Sequence, residues 1–175
     1  MNRTLKAILL GLGGLVALFF LVGLFLPKHT HIERSVLIDA PVAEVYPLVN
    51  DLPSWERWSP WHAMEPTAEW TFSSPASGTG AWYTWRGEEI GAGKMTIDEA
   101  VANRRIDASM EFEGMGGAEA DFTFESPTPA QTKVTWAFDS DHDSIFSRYF
   151  GILTDRMLGP SYEEGLAKLK AVAEG

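Results

Sequence analysis

The sequence predicts an α+β fold: a seven-stranded antiparallel sheet curved around one long carboxy-terminal helix, preceded by one amino-terminal transmembrane helix. Three observations predict it. Residues 7–26 are an uncharged apolar run of 20. Residues 69–139 alternate with period two between glycine-containing turns, the mark of an antiparallel meander. From residue 145 the apolar positions return at helical spacing. The chain of 175 residues then divides into a cytoplasmic tail (1–6), a transmembrane helix (7–26), a tether (27–31) and one folded domain (32–175).

The run 7–26 holds fourteen Leu, Ile, Val or Phe, with four Gly and two Ala. At ~1.5 Å per residue it is about 30 Å long, the thickness of a hydrocarbon core. Fourteen large apolar residues at about −0.3 to −0.6 kcal/mol each favour insertion. A cleaved signal needs small residues three and one positions before the cut, and Val22-Gly23-Leu24-Phe25-Leu26-Pro27 offers no such pair. The expectation is an uncleaved single-pass anchor. Arg3 and Lys6 precede it and Lys28 and Arg34 follow, and a short cationic tail that stays in the cytoplasm puts the domain on the extracytoplasmic side. The small pairs Ala7/Gly11 and Gly13/Ala17 leave the oligomeric state open.

In the folded part, residues 32–39 read as a strand with Ile32, Arg34, Val36 and Ile38 on one face. Pro41 suits the start of a helix running to about Asn50, in which Pro47 predicts a kink or an early end. Ser54 is placed to cap a second short helix with Trp55 and Trp58, which Pro60 would terminate. Six strands follow at 69–73, 81–87, 93–99, 105–113, 119–125 and 133–139. In the last helix, Gly159-Pro160 predicts a kink or a brief break, with Ser161 and Glu164 spaced to restart the helix.

Composition excludes several chemistries. With no cysteine there is no disulfide framework, thiol nucleophile or thiolate metal site. The net charge is −10, and removing the two cations ahead of the apolar run leaves −12 on the remainder, so nucleic acid is not an expected partner. Asp139-x-Asp141-x-Asp143 begins like a calcium loop, but Ser144 and Phe150 stand where glycine and glutamate are needed. His29-x-His31 supplies two imidazoles without a third ligand and is read as tether. No metal and no cofactor is expected.

Several stretches, in order along the chain, resemble the START-like or SRPBCC superfamily, and within it the polyketide cyclase/dehydrase and lipid-transport group. They are Glu33-Arg34-Ser35-Val36-Leu37-Ile38-Asp39-Ala40-Pro41, Val49-Asn50-Asp51 leading into Trp58-Ser59-Pro60-Trp61, Gly78-Thr79-Gly80, Arg148-Tyr149-Phe150-Gly151 and Met157-Leu158-Gly159-Pro160. The resemblance implies a helix-grip fold with a deep hydrophobic pocket between sheet and helix. It implies no single chemistry, so function rests on the site.

Seven tryptophans fall between positions 55 and 136, accompanied by Met95, Met110, Met115 and Met157. Aromatic and methionine side chains make an adaptable apolar lining. The expected pocket set is Trp58, Trp61, Trp70, Trp82, Trp85, Met95, Met110, Phe112, Phe122, Phe124, Trp136, Phe138, Phe146, Tyr149, Phe150, Leu153 and Met157. His62, with Glu65, Arg86 or Glu88 as partners, is the named candidate acid or base, and a pocket carboxylate is the alternative. The expected function is membrane-anchored binding of a hydrophobic small molecule, a lipid, quinone or polyketide-like compound. At ~25 cal/mol per Å², burying ~300 Å² of ligand gives about 7 kcal/mol before association costs. The alternatives are a cyclase or dehydratase using the same pocket and a protein-interaction module.

Overall fold

The computed structural model describes residues 2–114 and 116–175; Met115 lies outside the described residues. Helix α1 (Arg3–Phe25) leads into strand β1 (His29–Ile38), helix α2 (Val42–Asn50), a 3-10 helix (Leu52–Arg57) and helix α3 (Pro60–Met64). Six strands follow: β2 (Glu69–Phe72), β3 (Trp82–Arg86), β4 (Ala92–Val101), β5 (Arg105–Phe112), β6 (Gly116–Thr128) and β7 (Gln131–Asp141). Helix α4 (Ile145–Glu174) ends the chain. All seven strands form one antiparallel sheet in the order β1-β7-β6-β5-β4-β3-β2. Alternation buries one face of it beneath α4, as in Val134, Trp136 and Phe138 of β7.

β1 begins three residues earlier than the expected position 32, so His29 and His31 are strand residues and not tether. The cause lies across the ladder, where His29 sits opposite Asp141 and His31 opposite Asp139. The His29 ring lies 3.0 Å from Asp141 and 2.9 Å from Asp139, and His31 lies 2.8 Å from Asp139. Hydrogen bonds to Asp141 and then Asp139 raise the His29 pKa above its ordinary 6.5. The folded chain therefore holds that proton more tightly than the unfolded chain. The resulting stabilisation is complete below about pH 6.5 and fades as pH climbs through the raised value. The thermal midpoint of the full-length protein in detergent should fall more between about pH 6 and pH 9 than that of a His29→Asn variant, and parallel pH curves would contradict this.

Between β1 and β2 the chain closes one end of the fold. α2 continues through Pro47 to Asn50 without the expected early end, because Val45, Tyr46 and Val49 are buried beneath it. The next element is a 3-10 helix with Asp51 at its N-cap, and Ser54 donates to Asp51 across 2.6 Å instead of capping a helix of its own. Pro60 opens α3 where a terminator was expected; a first helical position needs no backbone donor. Trp55 and Trp58 turn back under α2 and donate their ring N–H groups to the carbonyls of Val49 (2.8 Å) and Leu48 (2.9 Å). With Phe122 and Trp136 they form the aromatic centre of the core.

α4 is one continuous helix of 30 residues, so of the two alternatives at Gly159-Pro160, a kink or a brief break, the break does not occur. Arg34 of β1 explains the continuity: its guanidinium donates to Asp155 at 2.8 Å and to Glu163 at 2.9 Å, one partner on each side of the proline. Gly159 permits this, since a Cβ there would collide with the Arg34 guanidinium. Packing then offsets the helix's lost hydrogen bond, with Tyr162, Leu166 and Leu169 buried on the sheet. At the other end, Ser144 and Ser147 form a reciprocal capping box.

Candidate functional site

Between the buried sheet face, α3 and α4 lies a cavity of about 320 Å³. Its floor is built from inward positions of successive strands: Trp70 on β2, Tyr83 and Trp85 on β3, Met95 on β4, Met110 and Phe112 on β5, Ala120 on β6, and Trp136 and Phe138 on β7. The helical side supplies Trp55, Trp61, Met64, Met157, Leu158 and Tyr162, and the β3–β4 hairpin supplies Glu89 and Ile90. Volume is left because Ala108 and Ala120 face each other across β5 and β6, so two adjoining positions carry only methyl groups. Gly165 lets α4 lie close by, since a Cβ there would stand 3.0 Å from both Pro60 and Trp136. A second hollow of about 460 Å³, on the outer sheet face beside Glu69, Arg86, Lys94 and Glu111, is open and charged and does not enclose an apolar molecule.

The apolar wall is interrupted by the Glu89 carboxylate of the hairpin, the phenols of Tyr83 and Tyr162, and the N–H groups of the lining tryptophans. Burial pushes the Tyr83 hydroxyl pKa strongly upward, and burial followed by the neighbouring Tyr83, Asp121 and Asp139 does the same for Tyr162. No hydrogen bond contributes to either shift, and both phenols remain neutral donors. Trp136 stacks on Tyr162 with ring centroids 3.9 Å apart, and its buried Nε1 has no partner among the described residues. A buried donor left unpaired normally costs free energy that a partner would recover.

Of the residues expected in the pocket, Trp61, Trp70, Trp85, Met95, Met110, Phe112, Trp136, Phe138 and Met157 line the cavity. The other expected residues lie elsewhere. Trp58 and Phe122 are fully buried in the core, and Phe124 packs edge-on against Tyr46 of α2. Trp82 occupies the opposite sheet face, under the Lys94 ammonium at 5.4 Å, because neighbouring residues of a strand point in opposite directions. Phe146, Tyr149, Phe150 and Leu153 stand on the first turns of α4, outside the lining. Parity along β3 signals the missed Tyr83: if Trp85 faces inward, so does position 83, and Trp82 cannot. Nothing local marks Ala120, Leu158 or Tyr162.

His62 does not assemble the expected acid/base group. Its ring stacks on Trp70 at 3.7 Å, its Nδ1 is buried without a partner among the described residues, and burial lowers its pKa against a weaker upward pull from Glu56. Glu65 instead accepts the backbone N–H groups of Glu88 (2.8 Å), Glu89 (2.9 Å) and Ile90 (3.1 Å), which hold its carboxyl below the usual range despite burial. Arg86 pairs with Glu113 at 3.1 Å. Glu65 thus fixes the hairpin that rims the cavity.

The family described as polyketide cyclase / dehydrase and lipid transport matches residues 29–174, nearly all of the chain beyond α1. The chain belongs to that family. Solved structures share the helix-grip fold at low identity. A protein of unknown function from Staphylococcus aureus is 12% identical with a TM-score of 0.65, over 84% of this chain and 94% of that one. One from Chromobacterium violaceum is 15% identical with a TM-score of 0.60, over 83% and 99%. The Aha1 dimer from Colwellia psychrerythraea is 17% identical with a TM-score of 0.56, over 83% and 96%. No curated protein matches the sequence. In this member of the polyketide cyclase/dehydrase and lipid-transport family, the cavity occupies the space between sheet and helix where the family resemblance implied a pocket.

Proposed function

We propose that this protein binds a hydrophobic small molecule carrying acceptor oxygens, of the lipid or quinone class, and that α1 anchors it in a bilayer from which that molecule is drawn. The observation that carries the reading is the composition of the cavity: tryptophan, methionine and phenylalanine throughout, with the phenols Tyr83 and Tyr162 among the lining and Glu89 on its hairpin rim. Apolar area supplies the affinity, and the phenol donors favour a ligand carbonyl over a bare hydrocarbon. α1, with 23 residues, is long and apolar enough to cross a membrane. Its attachment to the domain supports retention as an anchor, since Tyr149 donates to the Phe19 carbonyl (2.7 Å) and Arg148 to the Gly23 carbonyl (3.2 Å). A cationic tail held in the cytoplasm places the domain on the extracytoplasmic side.

Full-length protein purified from native membranes should carry an apolar molecule detectable by mass spectrometry after extraction. Decylubiquinone, added to emptied protein in detergent, should quench the fluorescence of the five cavity tryptophans saturably. No extracted molecule together with linear, non-saturating quenching would sink the reading.

A further inference from the structure

The first half of α4 carries an apolar face that the domain does not cover. Phe146, Phe150, Leu153 and Met157 are 61%, 71%, 47% and 68% exposed, and their spacing of four, three and four residues sets them in one stripe along the helix. The stripe begins beside α1, where the Phe146 ring lies 5.3 Å from Phe19 and 6.2 Å from Phe20. It ends at Met157, which lines the cavity beside the half-exposed Met64.

Depth follows from the anchor. The apolar run of 20 residues only just matches a hydrocarbon core of about 30 Å, so none of it is spare. Phe19 stands seven residues before its end, or about 10 Å inside the boundary at ~1.5 Å per residue. Tyr149 stacks on Phe19 at 4.4 Å and Gly23 is packed against Ile145, so the opening turns of α4 share that depth. Between Ser144 and Asp155 the helix has no acidic side chain, and its one cation, Arg148, is turned onto the Gly23 carbonyl. Little charge would need to be desolvated there, and the depth is that of an interfacial amphipathic helix.

We propose that the Phe146–Phe150–Leu153–Met157 stripe is embedded in the leaflet beside α1 and forms a water-free track from the bilayer into the cavity; this rests on α1 spanning the membrane. The occupant of the face is lipid, because the stripe continues the all-round apolar surface of α1. Charge plays little part, since the part of the chain beyond the anchor carries −12, and zwitterionic lipid suffices.

The chain has no cysteine, so single cysteines carrying an NBD fluorophore report one position each. Full-length Leu12→Cys, Phe146→Cys, Phe150→Cys and Thr128→Cys variants are reconstituted in phosphatidylcholine vesicles. Each is exposed to nitroxide-bearing lipid and, separately, to aqueous iodide. Lipid quenching at positions 12, 146 and 150 should exceed that at 128 by about threefold or more, with iodide reaching only 128. Iodide quenching at 146 and 150 with lipid quenching at 12 would overturn the embedded stripe and leave the anchor standing. Protection of 146 and 150 from both quenchers would overturn it in favour of a covering protein or a second copy. Loss of lipid quenching at 12 would overturn both the anchor and the stripe. Decylubiquinone binding in detergent, where there is no leaflet, reports the cavity independently of all these outcomes.

Discussion

An Ala120→Trp variant should bind decylubiquinone at least about tenfold more weakly than the wild type while keeping its fold. Ala120 is 2% exposed and lies on the cavity floor, with Ala108 opposite it on β5 and Phe138 opposite it on β7. An indole there fills space that only a ligand would otherwise use. Overpacking a filled core costs about 1–3 kcal/mol, but this side chain enters a void of about 320 Å³, so the strain should sit at or below the low end of that range. For a chain of this size such a cost lowers the thermal midpoint by a few degrees. Titration by tryptophan quenching, corrected for the added indole, reads the affinity, and a thermal scan reads the fold. Unchanged affinity in a folded variant would place the ligand outside the cavity.

Trp58→Ala should cost about 3–5 kcal/mol, lowering the thermal midpoint by roughly 6–20 °C. Trp58 is fully buried, meets Trp55 at 4.7 Å, Trp136 at 5.6 Å and Phe122 at 6.2 Å, and closes the end of α2 through its bond to the Leu48 carbonyl. Truncation leaves a large void and an unpaired carbonyl together. The comparison is Trp82→Ala on the outer face, where the lost contact with Lys94 should cost about 0.5–1 kcal/mol. Equal losses from the two variants, measured by thermal unfolding in the same detergent, would contradict the assignment of Trp58 to the core.

Much of the architecture is legible because periodicity reports one-sided burial. Ile32, Arg34, Val36 and Ile38 do face inward from β1, and all six later strands form close to their expected positions. Local rules misread the prolines. Pro60 opens a helix where the local rule has it end one, and the helices that hold Pro47 and Pro160 neither end nor break at them. Their intrinsic cost is a few kcal/mol, a size that tertiary packing and the Arg34 clamp can offset. The tether suffered similarly, since nothing near His29 and His31 shows that two aspartates more than a hundred residues away stand opposite them.

The candidate site was half legible for the same reason. Residue type marked which side chains suit an apolar lining, and strand parity could separate Tyr83 and Trp85 from Trp82. Parity cannot separate cavity from core, because Phe122 and Phe138 both face inward and only the second meets empty space. That depends on which positions α4 leaves uncovered, on the adjoining alanines of β5 and β6, and on Gly165 setting the approach of the helix.

By itself, the sequence determined the long apolar amino-terminal helix, the seven-stranded sheet and its long carboxy-terminal helix, and a supply of aromatic and methionine side chains without cysteine chemistry. Those properties follow from composition and short-range period, which act within a few residues of chain. The tertiary structure alone decided which aromatics line a cavity, that the phenols Tyr83 and Tyr162 are among them, and that α4 lays an apolar stripe against α1. Each of these is a relation between residues distant in sequence, fixed when the sheet closes on the helix.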